Sequence, residues 1–168
     1  DLNHKSWEEI YRKLVYWDLE INETENKSMA EVLEMQRTEA NVNFAKFIKG
    51  AYPDWVRNPD SDRPILSPDL MRKKVFPMLE EEGSLFFILI DNLRLDQWKV
   101  IEPIIAQYFT VEEDSAYYSI LPTTTAFARN AIFSGLMPAD IQKRHSRLWV
   151  GDDEEGGKNN HEGELLGL

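Results

Sequence analysis

An apolar run of six residues, Leu85–Ile90, ends directly at an aspartate, Asp91. A short run of this kind, rich in aromatic and aliphatic side chains, is typical of a buried strand. Open α/β sheets place their chemistry at the carboxyl ends of strands, where the loops form a crevice. The run therefore predicts a buried strand and makes Asp91 a candidate functional carboxylate.

A second apolar stretch, Tyr117–Leu121, is followed by a proline and the threonine triplet 123–125. The pattern predicts a helix of about Thr125–Ser134 that begins at the last threonine of the triplet. It predicts another helix of about Leu95–Tyr108 between the two apolar stretches. The order strand, helix, strand indicates a βαβ unit with a parallel sheet. Such a sheet would bring a helix N-terminal hydroxyl close to Asp91, an arrangement suited to metal-dependent phosphoryl transfer.

The first part of the chain shows helical periodicity. A capping box that begins at Ser6 starts a helix to about Leu19, and a longer helix is expected over Lys27–Lys49, ended by Gly50. A polar turn between two amphipathic helices predicts an antiparallel pair. The proline-rich stretch Asp54–Pro68 is the best linker candidate.

The composition limits the classes of function. The longest apolar run is too short to span a membrane and cysteine is absent, so we expect a soluble, cytoplasmic protein without a thiolate zinc site. The net charge of −11 repels polyanions and disfavours sequence-specific DNA binding through lysine and arginine. If the protein handles phosphate esters, divalent cations must supply positive charge.

The candidate site residues have simpler alternatives. Asp91 is equally suited to a turn or a helix cap, although the adjacent Asn92 also suits that role. One threonine of the triplet is expected to cap the helix, and a threonine becomes a nucleophile only with a base or a metal. Arg129 is placed to clamp a phosphate oxygen or to form a surface ion pair. Asn130 is similarly ambiguous.

Two other patterns carry little chemistry. The histidines at positions 4, 145 and 161 are too scattered to predict a zinc site. Gly151–Lys158 superficially suggests a phosphate-binding loop, but its spacing is one residue too long and Asn159 replaces the required serine or threonine. We interpret Gly151–Asn160 as a solvated acidic loop.

Two longer segments carry a family resemblance. Leu85–Trp98 and Tyr117–Met137 resemble the PglZ domain of the alkaline phosphatase superfamily. The segment from Ser6 onward resembles the helical part that precedes this domain in PorX-type response regulators, which govern type IX secretion. The resemblance implies an α/β fold: a helical linker bundle over residues 1–66, then over residues 67–168 the first βαβ part of an alkaline-phosphatase-like sheet, truncated.

The resemblance also implies a site with two zinc ions that cleaves nucleotide or oligonucleotide diesters. Asp91 would be a metal ligand. The superfamily nucleophile lies ten residues before the glycine that closes its helix, which here selects Thr125, also a metal ligand. Arg129 and Asn130 would bind substrate, although Ala128 stands where related enzymes often have asparagine. The remaining ligands are expected beyond Leu168, so we expect an internal fragment that binds zinc weakly and has no turnover alone.

At the level of function, the resemblance implies the output part of a two-component response regulator. The implied partners are a sensor histidine kinase and regulators of transcription or secretion, and the complete protein would be a possible homodimer. The alternative is a catalytically silent module that transmits a phosphorylation signal to a protein partner through contacts.

Overall fold

The computed structural model describes residues 2–24, 26–151 and 157–168, with Glu23 described in its backbone only. Within these ranges the regular structure is helical: α1 (His4–Thr24), α2 (Lys27–Arg57), α3 (Phe76–Glu82), α4 (Leu95–Ile105), α5 (Thr125–Ser134), α6 (Pro138–Arg144) and α7 (Glu162–Leu166). Short 3₁₀ helices at Ser67–Asp69 and Ser146–Leu148 and a π-helical turn at Met71–Val75 connect them. No helix in the described part of the chain is both long and apolar enough to cross a membrane.

The chain forms two compact units, and neither is continuous in sequence. The first contains the residues up to Arg63 together with Asn92–Asp114, and the second contains Pro64–Asp91 with Ser115–Leu168. The domain boundary expected near residue 66 stays a prediction.

In the first unit, α1 and α2 form the predicted antiparallel pair. Trp7, near the start of α1, packs edge-on against Phe44 in the second half of α2, with ring centroids 5.4 Å apart. Nearer the turn, Asp18 of α1 pairs with Arg37 of α2 at 2.9 Å. These contacts cover part of each apolar face: Trp7 is buried, while Met29 of α2 is 45% exposed.

The ends of these helices differ from the prediction. Asn3 rather than Ser6 caps α1, because the Ser6 amide donates to the Asn3 Oδ1 at 3.0 Å. Helix α2 does not end at Gly50 but continues to Arg57. Trp55 explains the extension, since it is 8% exposed and packs on Phe47 with centroids 5.7 Å apart. Burial of this large ring outweighs the low helix propensity of glycine and proline.

An ion pair connects the segment after α4 to α1. Arg12 donates two hydrogen bonds to Asp114, at 3.0 and 2.8 Å, and Lys99 of α4 donates a third at 3.1 Å. A bidentate guanidinium–carboxylate pair fixes geometry as well as charge. This cluster holds residues 102 apart in sequence within the first unit.

In the second unit, the predicted strands and their sheet are absent from the described residues. The segment 84–90 has no regular secondary structure and no backbone pairing among the described residues, and Phe86 is 96% exposed. The strand expected at Tyr117–Leu121 makes an isolated parallel bridge, in which the Tyr118 amide donates to the Ile65 carbonyl at 2.8 Å. The α/β expectation, with its βαβ part of an alkaline-phosphatase-like sheet, is therefore wrong for this structure. A run of aromatic and aliphatic residues favours a strand locally, but a strand also needs a neighbouring backbone for its hydrogen bonds.

The core of the second unit places the start of α5. The buried Ser67 hydroxyl accepts a hydrogen bond from the Ile120 amide at 3.1 Å, and Ile120 itself is fully buried. The short helix that Ser67 begins contacts α5, and so does α7. Phe133 of α5 packs against an apolar cluster of three buried residues, Ile141, Leu148 and Leu165. The threonine triplet thus joins a well-packed segment to a well-packed helix.

Candidate functional site

The threonine triplet leads into α5 as predicted, but no threonine side chain caps the helix. Thr124 is the N-cap residue, with an extended backbone and no side-chain capping bond. Its carbonyl accepts the amides of Phe127 and Ala128 at 3.0 and 2.9 Å. Gly135 closes the helix with φ 66°, a conformation that favours glycine. The Thr125 hydroxyl is therefore available for a contact outside the helix.

That contact is with Asp91. The Thr125 Oγ1 donates to the Asp91 Oδ2 at 3.3 Å, which is long for a hydroxyl–carboxylate hydrogen bond. The Asp91 side chain is 46% exposed, so solvent and ligands reach it. The structure thus brings together the two residues that the sequence singled out, without the sheet that was expected to do so.

Arg129 lies one turn further along α5 and faces the same carboxylate. Its Nη1 is 3.7 Å from the Asp91 Oδ2, within ion-pair range but beyond a hydrogen bond. Its Nη2 donates to the Oε2 of Glu162, the first residue of α7, at 2.5 Å. Arg129 therefore makes the ion pair that the sequence allowed as an alternative, and its phosphate-binding role stays a prediction.

Asn130 is the most buried polar residue near the site, with 2% of its surface exposed. Its Nδ2 donates to the Lys158 carbonyl at 3.0 Å, and its Oδ1 accepts from the Asn159 Nδ2 at 3.1 Å. The Asn159 Nδ2 also lies 3.3 Å from the Thr125 carbonyl. Asn130 thus fastens the 158–159 segment onto α5, while its expected contact with substrate stays a prediction.

Sequence reasoning missed Glu162, Asn159 and Tyr117. Residues 158–160 were assigned to a solvated loop, and residues 152–156 of that loop lie outside the described part of the chain. The pKa of the Tyr117 hydroxyl is raised above its ordinary value, first by burial and then by the negative charge of Asp91. Tyr117 therefore stays neutral beside the carboxylate at physiological pH. Glu162 and Asn159 lie in a polar run, which is the one sign of a functional role that the sequence gives for them. The run does not indicate that it contacts α5.

The described residues fit part of a metal site. Asp91 and Thr125 offer a carboxylate and a hydroxyl oxygen within hydrogen-bonding distance of each other. Protein zinc sites use three or four protein ligands, and the described residues contain no group of three or more histidine, cysteine, aspartate or glutamate side chains that could hold a metal. These two residues therefore suit two positions of a metal site without completing one.

Comparison with known families agrees with the resemblance seen in the sequence. Residues 1–56 match the PorX response regulator linker domain, and residues 70–167 match the BREX system PglZ alkaline phosphatase-like domain. No curated protein matches the chain significantly. The second match covers more than half of the chain. With a PorX response regulator linker as its amino-terminal segment, the chain belongs to the PglZ alkaline phosphatase-like domain family.

Proposed function

We propose that this chain is part of a two-component response regulator whose PglZ domain is a zinc-dependent phosphodiesterase acting on nucleotide or oligonucleotide diesters. The control of type IX secretion is the proposed process. The family matches support the regulator and the phosphatase-like class. The observation that supports the enzyme is the Thr125 hydroxyl donating to Asp91, with the Arg129 guanidinium beside the same carboxylate oxygen.

In this proposal Thr125 is the nucleophile. Its Oγ1 forms a bond to phosphorus as the ester bond opposite it breaks, and the hydroxyl proton ends on the departing alcohol. Asp91 holds the hydroxyl before attack, and Arg129 neutralises a non-bridging oxygen. Water then cleaves the phosphothreonine, which releases the monoester and restores the hydroxyl. Bound zinc, held in part by Asp91 and Thr125, would supply the positive charge that stabilises the attacking and leaving oxygens.

The charge of the chain supports a metal requirement. The net charge of −11 opposes the approach of a phosphodiester, and Arg129 shares its charge with two carboxylates, Asp91 and Glu162. A cation bound at Asp91 would reverse the sign of the local field, which matters most at close range.

The test is hydrolysis of bis(p-nitrophenyl) phosphate by the natural protein that carries this sequence, assayed after chelation and after zinc is restored. We expect Thr125→Val to lower zinc-dependent turnover by at least about 100-fold, because the isosteric side chain has no hydroxyl. Thr123→Val is the matched control and should keep its turnover. Full activity of the Thr125→Val protein would overturn the proposal.

A second proposal is a catalytically silent module that signals through contacts. It is favoured by the PorX response regulator linker match. Its proposed partners are a sensor histidine kinase and regulators of transcription or secretion, with a homodimer as the proposed assembly. Secretion measured in cells that carry Thr125→Val separates the two proposals: lost hydrolysis with intact secretion supports signalling by contact, and joint loss supports catalysis.

A further inference from the structure

The pairing of Arg129 with Glu162 leaves polar atoms unsatisfied on both sides. The guanidinium Nη2 bonds to the Oε2 of Glu162, but the neighbouring Nε of Arg129 and the Oε1 of Glu162 are both buried without a hydrogen-bond partner among the described residues. A guanidinium and a carboxylate that face each other squarely would make two parallel bonds. Here they make one, and the second donor and acceptor are desolvated without a partner.

The unsatisfied polar atoms make this ion pair energetically unfavourable. A buried donor or acceptor without a partner costs free energy that a fully satisfied pair avoids. The Glu162 side chain is 17% exposed and the Arg129 side chain is 30% exposed, so solvent compensates little of this cost. A ligand that satisfies the guanidinium better than Glu162 does can therefore displace the glutamate at a modest cost.

The location of the pair indicates which ligand this is. The other terminal nitrogen of Arg129, Nη1, is 3.7 Å from the Asp91 oxygen that accepts the Thr125 hydroxyl. A phosphoryl group attacked by Thr125 would lie within reach of this guanidinium, and its oxygens match the guanidinium fork. Glu162 already accepts the hydrogen bond from Nη2 of Arg129, a donor that such an anion would use.

We infer that Glu162 is a built-in competitor for Arg129, a carboxylate that must give way when a phosphoryl anion binds beside Thr125. The inference rests on the proposed function for the location of the phosphoryl group, and it assigns to α7 the role of restraining anion binding at that site. With Glu162 in place, the three charges of Arg129, Asp91 and Glu162 sum to −1. Neutralising Glu162 makes the sum zero and replaces the charged acceptor of Nη2 with a weaker neutral one.

The test is titration of the 168-residue chain with inorganic phosphate, followed by the Nε–Hε NMR signal of Arg129, which Arg129→Lys identifies by removing it. We expect Glu162→Gln to bind phosphate roughly 5-fold more tightly than the parent chain, the effect of one nearby like charge in a watery setting. The amide has the same shape and still accepts a hydrogen bond, so the orientation of Arg129 is kept. Unchanged or weaker phosphate binding by Glu162→Gln would overturn the inference.

The matched control is Glu164→Gln on the same short helix. It removes the same charge from a carboxylate that pairs with His161 rather than with Arg129, and whose side chain is 58% exposed. We expect a change in phosphate affinity of less than 2-fold, since an exposed charge is screened. Equal gains in both variants would show a general charge effect and would also overturn the inference.

A second variant covers the case in which Glu162→Gln fails to fold. Glu162→Asp keeps the charge but withdraws the carboxylate by one methylene, and it should also tighten phosphate binding, by a smaller factor than the glutamine. No gain in a folded Glu162→Asp chain would reject the competitor role. Hydrolysis of bis(p-nitrophenyl) phosphate by the natural protein is measured in parallel: tighter binding without Thr125-dependent turnover rejects the proposed enzyme alone, while turnover without tighter binding rejects the inference alone.

Discussion

Thr125 donates its hydroxyl hydrogen to Asp91 across 3.3 Å, although 34 residues separate the two in sequence. The contact joins a hydroxyl at the start of a helix to a carboxylate that follows a segment without regular secondary structure. Because the Asp91 side chain is 46% exposed, the pair is open to a ligand rather than sealed in the core. This relationship makes Asp91 the residue whose substitution most directly tests the site.

Asp91→Asn should impair zinc binding and turnover while leaving the fold intact. The amide lacks the negative charge that the carboxylate offers to a metal, so we expect zinc affinity to fall at least about 10-fold, the loss typical even of outer-shell partners. Calorimetric zinc titration and diester hydrolysis by the natural protein measure the two effects. Asp96→Asn is the control, because Asp96 pairs with Arg94 instead, at 2.8 Å. Zinc affinity equal in the parent and Asp91→Asn proteins would remove Asp91 from the ligand set.

Asn130→Ala should destabilise the second unit strongly. The substitution leaves the Lys158 carbonyl and the Asn159 amide without the partner that they have now, and it opens a cavity at a position that is 2% exposed. We expect unfolding to become easier by about 2–4 kcal/mol, measured by urea denaturation. Asn43→Ala on the exposed face of α2 removes the same group and should change stability by less than about 0.5 kcal/mol. A small effect at Asn130 would mean that the 158–159 segment is not fastened by this side chain.

Helices α1, α2, α4 and α5 were predictable because their signals are local. The bounds of α5 follow from the threonine triplet and from Gly135, and α1 and α2 follow from periodicity within each segment. The sheet was not predictable in this way. Leu85–Ile90 has the composition of a strand, but pairing depends on which distant backbone lies beside it, and its neighbours in this structure leave Phe86 in solvent.

The candidate site shows the same division. Asp91 and the threonine triplet were identified from their positions after apolar stretches, and the family resemblance selected Thr125 from the triplet. The structure brings Thr125 and Asp91 together. Glu162 and Asn159 could not be assigned, because their roles come from α7 and the preceding turn folding back onto α5, a contact between residues about 30 apart. Local patterns carry no information about such contacts.

Acid should weaken the first unit through Asp114. The hydrogen bond from Arg12, and then that from Lys99, lower the pKa of the Asp114 carboxyl to about 2 in the folded chain. In the unfolded chain it titrates near its ordinary value, about 4. The stabilisation is therefore complete above about pH 4 and is lost as the pH falls toward 2. We expect a contribution of about 1 kcal/mol, since the cluster is a third exposed and screened.

Urea unfolding of the parent and Asp114→Asn chains between pH 2 and 6 measures this contribution. The difference in the free energy of unfolding should be greatest near pH 6 and should shrink as the pH falls below 4, because the parent alone has a charged Asp114 to lose. Asp60→Asn, at an exposed position in the same unit, should run parallel to the parent. A difference that stays constant over the whole range would show that Asp114 is not held in its charged form by Arg12.

Gly50→Ala should stabilise the chain, because Gly50 lies inside α2 rather than at its end. A Cβ added there meets no atom within 4 Å, so the alanine gains helix propensity without a clash, worth about 0.5–1 kcal/mol. Gly135→Ala should have the opposite sign, since Gly135 has φ +66° and an added Cβ would lie 3.6 Å from the Pro68 carbonyl oxygen; the left-handed conformation alone costs about 1–2 kcal/mol. Thermal unfolding of both variants gives the signs. If Gly50→Ala lowered the midpoint, the helix would end near residue 50 in solution, and Trp55 would lose the helical register that packs it against Phe47.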